Sequence, residues 1–117
     1  MNKFECIVTI VDGGYSEYVI DASKEAGAKG ATIINGRGST SKETDNFHKL
    51  NIQPDKQIVL ILCKKEETKV IVETISKKAG MNTKAHALSF VLPVEDAIGM
   101  AEIFKNWNKK ATFEEIH

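Results

Sequence analysis

The chain carries no net charge at neutral pH, because 16 Lys and Arg balance 16 Asp and Glu. Without a field of one sign, nothing draws it to nucleic acid or to an anionic membrane surface. Cysteine is scarce: Cys6 and Cys63 are far apart, each inside an apolar, strand-like run, with no CxxC pair or Cys/His cluster beside them. Both thiols read as small buried hydrophobes rather than redox or metal groups. Long hydrophobic runs are missing as well. The longest, Ile58 to Cys63, is far short of the roughly 20 residues that span a bilayer, and Met1-Asn2-Lys3-Phe4-Glu5 has no signal-peptide core. The expectation is a cytoplasmic protein that does not insert into a membrane. His48, His86 and His117 share no metal-ligand spacing. No Ser/His/Asp, Cys/His or paired-carboxylate constellation can be assembled either. Glu95-Asp96 and Glu114-Glu115 are adjacent pairs, which suit a helix N-terminus and a solvated tail. The sequence therefore reads as non-catalytic.

What is present fits one domain spanning residues 1–117, a length at which roughly two-thirds of the unfolded surface is buried. Phe4 to Val11 is rich in β-branched residues and apolar on most of both faces, the pattern of a central strand. Asp12-Gly13-Gly14 breaks it. Tyr15, Val19, Ala22 and Ala26 then recur at helical spacing until Gly27, with Lys24 in the last turn. Ala31 to Ile34 is the second strand. Lys56 to Lys64 is the third, and its almost unbroken apolar interior again places it near the sheet centre. Glu66, Glu67 and Thr68 open a second helix, where acidic side chains suit the positive end of the dipole. Its apolar stripe is Val70, Ile71, Thr74 and Ile75, and it closes on Lys77-Lys78-Ala79-Gly80.

The halves repeat. Shifting by 53 residues places Phe4–Val11 on Gln57–Lys64, superposes the helices and matches the strand after Gly27 with Lys84–Leu92 after Gly80. Two βαβ units joined by a loop predict an α+β, ferredoxin-like βαββαβ sandwich: a four-stranded antiparallel sheet with both helices on one face. Pro93 is expected to interrupt the sheet. A C-terminal helix carrying Ala97, Ile98, Ala101, Phe104 and Trp107 follows, with a tail from Asn108 polar enough to fray. One sheet face gets no helix from its own halves; where the third helix covers only part of it, the rest must be buried between subunits, so an oligomer is expected.

Between the halves the chain turns through Gly36-Arg37-Gly38 and stays polar from Ser39 to Asp55, with only Phe47, Leu50 and Ile52 as large apolar residues. Connections beyond about 12–15 residues are uncommon and tend to be functional. Such a segment folds little apolar surface of its own, so a ligand or partner must order it. Gly36-Arg37-Gly38-Ser39 can offer backbone N–H groups and a guanidinium to an anion. It is not a P-loop, since no Gly-Lys-Ser/Thr follows, and glycines here also simply turn the chain out of a strand. Ser39, Thr40, Ser41 and Thr44 are modifiable but ordinary loop residues.

Gly30-Ala31-Thr32-Ile33-Ile34, then Gly36-Arg37-Gly38, the long loop, the second strand-and-helix half, and above all Ser89-Phe90-Val91-Leu92-Pro93-Val94-Glu95-Asp96-Ala97 resemble the PII nitrogen-regulatory signalling proteins and their PII-like relatives, over about residues 3–104. The resemblance implies a homotrimer with an adenine nucleotide effector in the clefts between subunits and no required cofactor. It also implies a T-loop, here 37–55, that docks on an unidentified target protein, an enzyme, a membrane transporter or a transcription factor, in nitrogen or related metabolic regulation. The implied ligand-binding set is Thr32 near the adenine, Gly36, Arg37, Gly38 and Ser39 at the T-loop base, and Lys84, Ala87, Leu88 and Ser89 in the place of the B-loop. This chain departs from the family there. Ala85, Ala87 and Leu88 stand where the family has glycines and a phosphate-binding lysine, Pro93-Val94-Glu95-Asp96 replaces arginines, and the T-loop has no tyrosine. Those losses point to a less charged ligand than a triphosphate, such as AMP, a cyclic nucleotide or bicarbonate. Two further readings stand beside the sensor: a non-catalytic oligomeric adaptor with a degenerate cleft, and a metal-binding trimer resting on the scattered histidines.

Overall fold

Strand β1, Phe4–Asp12, alternates so that Ile7, Thr9 and Val11 point to one side and Cys6, Val8 and Ile10 to the other. The first set is completely buried. A computed structural model describes residues 3–38 and 55–99, and shows what covers that side. After β1 come α1 (Ser16–Glu25), β2 (Thr32–Arg37), β3 (Asp55–Lys64), a 3-10 turn at Lys65–Glu67, α2 (Thr68–Ala79) and β4 (Leu88–Val94). The sheet order is β2-β3-β1-β4, antiparallel throughout, with Ile7 opposite Ile61 and Val91. Both apolar strands expected near the centre are there, and the fold is the ferredoxin-like α+β sandwich.

The core lies between one sheet face and the two helices. Ile7, Val11, Val59, Ile61 and Cys63 from the sheet meet Val19 and Ala22 of α1 and Ile71, Ile75 and Ala79 of α2. Helix α1 ends as expected: Gly27 has φ +108°, and the Ala28 N–H reaches back to the Ser23 carbonyl at 2.8 Å. The acidic opening of α2 is also present, and Glu67 accepts the Lys64 N–H at 3.1 Å. The α2 stripe is shifted, however. Val70 is exposed, while Thr68 and Ala79 join Ile71 and Ile75 on the buried side. Cys63 is buried with its Sγ 3.3 Å from Thr68 Oγ1, and Cys6 stands opposite Leu62 on the other sheet face. Burial pushes both thiols up, so neither is a ready thiolate.

Two strand boundaries depart from expectation. β4 begins at Leu88 rather than Lys84, because Ala87 is retained by the helix it leaves: its N–H donates to the Ala79 carbonyl at 2.8 Å. It also runs through Pro93 to Val94 instead of stopping before the proline. β4 is an edge strand, where a missing N–H on the outer side breaks no ladder. Residues 97–99, where the C-terminal helix is expected to begin, are not helical: Ile98 is fully exposed and Gly99 has φ +95°, and the rest of that expected helix, like residues 39–54 of the long connection, lies outside the described residues.

Thr9 is a fully buried polar residue, and its hydroxyl lies 2.8 Å from that of Ser89, its register partner on β4. Thr9→Val should cost about 1 kcal/mol, the net worth of a buried hydrogen bond plus an orphaned partner. Adding Ser89→Ala should recover part of it in a double-mutant cycle read by urea denaturation.

On the other sheet face, none of the described residues provides a cover. Ile34, Leu62, Leu88, Phe90 and Leu92 lie there, exposed by between 38% at Leu62 and 54% at Leu88. Among the described residues this is an apolar face of the size that suits burial against a further element or another chain.

Candidate functional site

Three strand ends meet where the long connection leaves and returns. β1 finishes at Asp12, β2 at Arg37, and β3 starts at Asp55 opposite Arg37. They enclose an open cleft of about 840 Å³, lined by Asp12, Gly13, Gly14, Tyr15, Asn35, Gly36, Arg37, Asp55, Lys56 and Gln57. Its size falls within the range usual for small-molecule pockets.

Backbone constraints fix the cleft floor. The Gly13 N–H donates to the Asp55 carbonyl at 2.9 Å, and a Cβ at Gly13 would stand 3.0 Å from that of Asp55. Only glycine lets the end of β1 lie so close to the start of β3. The Gly14 N–H donates to Gln57 Oε1 at 3.1 Å, and Gln57 Nε2 donates to Asn35 Oδ1 at 3.3 Å. A Cβ at Gly38 would meet the Lys56 methylenes at 3.1 Å, so glycine there leaves that side chain its path across the loop base.

Asp12 ties two walls together. Its carboxylate accepts from Lys56 Nζ at 2.6 Å and lies 3.2 Å from His86 Nδ1, while its backbone N–H donates to the Ala85 carbonyl at 3.0 Å. His86 adopts φ +52°, an uncommon conformation for a residue with a Cβ. Desolvation raises the Asp12 pKa, but hydrogen bonds from Lys56 and His86 together outweigh it and hold the carboxyl below its ordinary value. A lowered carboxylate pKa contributes stability above the unfolded-state value, near 3.9, and that contribution disappears as pH falls through the folded-state value. Asp12→Asn should therefore lower the urea midpoint at pH 7 and converge with the unmodified protein in strong acid. The effect will be small, because Asp12 is a third exposed and solvent screens the pair.

In electrostatic terms the cleft is balanced: Arg37 and Lys56 against Asp12 and Asp55. Lys56 is engaged by Asp12, whereas the Arg37 guanidinium has no ion-pair partner among the described residues. Among the described residues, then, Arg37 is the lining cation left for a ligand.

The residues singled out from the sequence are distributed as follows. Gly36 and Arg37 line the cleft and Gly38 adjoins it, while Ser39 lies outside the described residues. Thr32 lines a different hollow of about 410 Å³, with Cys6, Lys29, Gly30, Ala31, Leu60 and Leu62, more apolar in character. The B-loop residues line neither. Lys84 is exposed, Ala87 is buried in the core, Leu88 is on the uncovered sheet face, and Ser89 is engaged with Thr9. Sequence reading missed Asp12, Asn35, Lys56 and Gln57. The Asp12-Gly13-Gly14 break was the available signal, but it reads equally as an ordinary turn. Among the described residues, no three His, Cys, Asp or Glu side chains gather as a metal site.

Comparison with known proteins bears on this geometry. The family model described as "Nitrogen regulatory protein P-II" matches residues 4–102. Among solved structures, the chain is similar to Arabidopsis thaliana PII bound to citrate, with 26% identity and a TM-score of 0.65, covering 84% of this chain and 81% of that one. No curated protein gives a match.

Proposed function

Since the chain belongs to the nitrogen regulatory protein P-II family, whose members are regulators rather than catalysts, we propose that it senses a small anionic effector at the Asp12–Arg37–Gln57 cleft and reports it to a target protein through the adjoining T-loop, 37–55. The observation that carries this reading is the balanced charge of the cleft lining, with Arg37 at its rim unpaired among the described residues. A triphosphate would bring charge that one guanidinium cannot neutralise, so the effector is an adenine nucleotide of low charge, AMP or a cyclic nucleotide, or a small anion such as bicarbonate. Citrate on the Arabidopsis relative is in keeping with an anionic effector.

In this reading the uncovered sheet face is buried in a homotrimer, and the cleft is completed by a neighbouring subunit. The protein acts in the cytoplasm, on a soluble target or on the cytoplasmic side of a transporter. None of the described helices is long and apolar enough to cross a membrane. The effector moves the T-loop only by its differential affinity for two loop states. Calorimetric titration with AMP, ADP, ATP, cyclic nucleotides and bicarbonate tests the sensor. Binding of AMP or a cyclic nucleotide with ATP no tighter supports it, and silence across the panel overturns it.

One observation favours a second reading, an oligomeric adaptor with a degenerate cleft: Lys84, Ala87, Leu88 and Ser89 line neither the cleft at Asp12–Arg37–Gln57 nor the hollow at Thr32. Deletion of residues 39–54 that abolishes target capture, with Arg37→Ala having no effect, would select it.

A further inference from the structure

Two amides and a backbone N–H at the cleft floor form a chain whose direction is fixed. The Gly14 N–H can only donate, so the Gln57 end that meets it must be the carbonyl oxygen, Oε1, at 3.1 Å. That leaves the Gln57 amide nitrogen facing Asn35, and Asn35 must present Oδ1 to it, at 3.3 Å. The Asn35 amide nitrogen, with its two donors, has no acceptor among the described residues and is left to solvent or a ligand. An isolated asparagine could present either end. Here the choice is made two residues away by a peptide group.

Asn35 and Arg37 are two positions apart on β2 and therefore project from the same face of the strand, and both line the cleft. Arg37 is donor-only by chemistry, and the relay gives Asn35 the same polarity. We propose that Asn35 and Arg37 together form an acceptor-selective dock, polarised by Gln57, that takes an anionic carboxylate or phosphate oxygen pair and rejects groups that must donate a hydrogen bond. This rests on the cleft being the effector site. It adds that Asn35 determines specificity and that Gln57 is a positioning residue. A carboxylate or phosphate monoester is acceptor-only when ionised and satisfies both groups, whereas an amide or ammonium sets donor against donor.

The test uses the full chain with AMP, citrate and inorganic phosphate as probes. In Asn35→Asp the new carboxylate still accepts from Gln57 Nε2, so the local structure has its internal bond, but an acceptor now faces the ligand. In Gln57→Glu the side chain still accepts the Gly14 N–H and can no longer donate to Asn35. Both variants should bind whichever probe the unmodified protein binds about tenfold or more weakly, the loss expected for one hydrogen bond to a charged group. The Asn35 side-chain NH₂ resonances of the unmodified protein should also shift on saturation, which needs no variant to fold. If a probe binds but both variants keep its affinity within twofold, or if the Asn35 resonances stay still, the dock is wrong and the cleft reading survives. If none of these probes binds but a cyclic nucleotide or bicarbonate does, the dock is wrong and the cleft reading survives; if nothing in either panel binds, the cleft reading itself fails and takes the dock with it.

Discussion

Ile61→Ala should be the most destabilising single truncation in the protein, lowering unfolding free energy by about 2–5 kcal/mol. Ile61 is completely buried at the middle of β3, opposite the equally buried Ile7, in the layer that receives both helices. Removing its outer carbons forfeits transfer energy and leaves a hole that central strands, hydrogen-bonded on both sides, cannot close. Against a typical stability of about 5–15 kcal/mol the change is large. Urea denaturation at one protein concentration should show a lower midpoint with an unchanged slope, and Ile61→Val should cost about 0.5–1.5 kcal/mol. A loss below that of the valine variant would show that the helix layer does not rest on β3.

Phe90→Asp should convert the proposed trimer to monomer while leaving the protomer folded. Phe90 lies opposite Val8 on the uncovered face and takes no part in the buried core, so the helix-side packing does not depend on it. A carboxylate there would have to be desolvated between apolar partners with no cation opposite, a cost no interface of modest area offsets. Light scattering after size exclusion should fall to the mass of one chain, with the far-ultraviolet circular dichroism spectrum unchanged. Tyr18→Asp, on the exposed side of α1, should leave the assembly intact. Retention of the oligomer in Phe90→Asp together with dissociation in Tyr18→Asp would place the subunit contact on the helices instead.

The elements that could be read from sequence are those in which burial and periodicity agree. β1 and β3 are apolar on both faces, so any register leaves them central. α1 is bounded by Gly13-Gly14 and Gly27, whose backbone needs are local. Where local signals competed with tertiary ones, the outcome moved. Lys84–Ala87 has strand-compatible residues, but Ala85 and Ala87 are held in the core, and their backbone is bonded to Asp12 and Ala79. The repeat therefore shifts: Phe4 and Asp55, the first residues of β1 and β3, are 51 apart, whereas Thr32 and Leu88, the first residues of β2 and β4, are 56 apart. Val70 looked like part of a helical stripe, yet it is exposed, and Thr68 and Ala79 are buried with Ile71 and Ile75 instead.

The candidate site divides the same way. Gly36, Arg37 and Gly38 can be picked out locally, as glycines flanking an arginine at a strand end, although the same glycines would also serve simply to turn the chain. Asp12, Asn35, Lys56 and Gln57 are unremarkable polar residues at strand ends, and nothing in their local sequence joins them.

By itself the sequence determined a duplicated sheet-and-helix scaffold with one apolar face left over, since burial periodicity is a property of neighbouring residues. Only the tertiary structure decided which polar groups share a cleft and which way each amide points. Those facts depend on antiparallel pairing that brings residue 14 to residue 57 and residue 57 to residue 35, separations over which a linear pattern carries no signal.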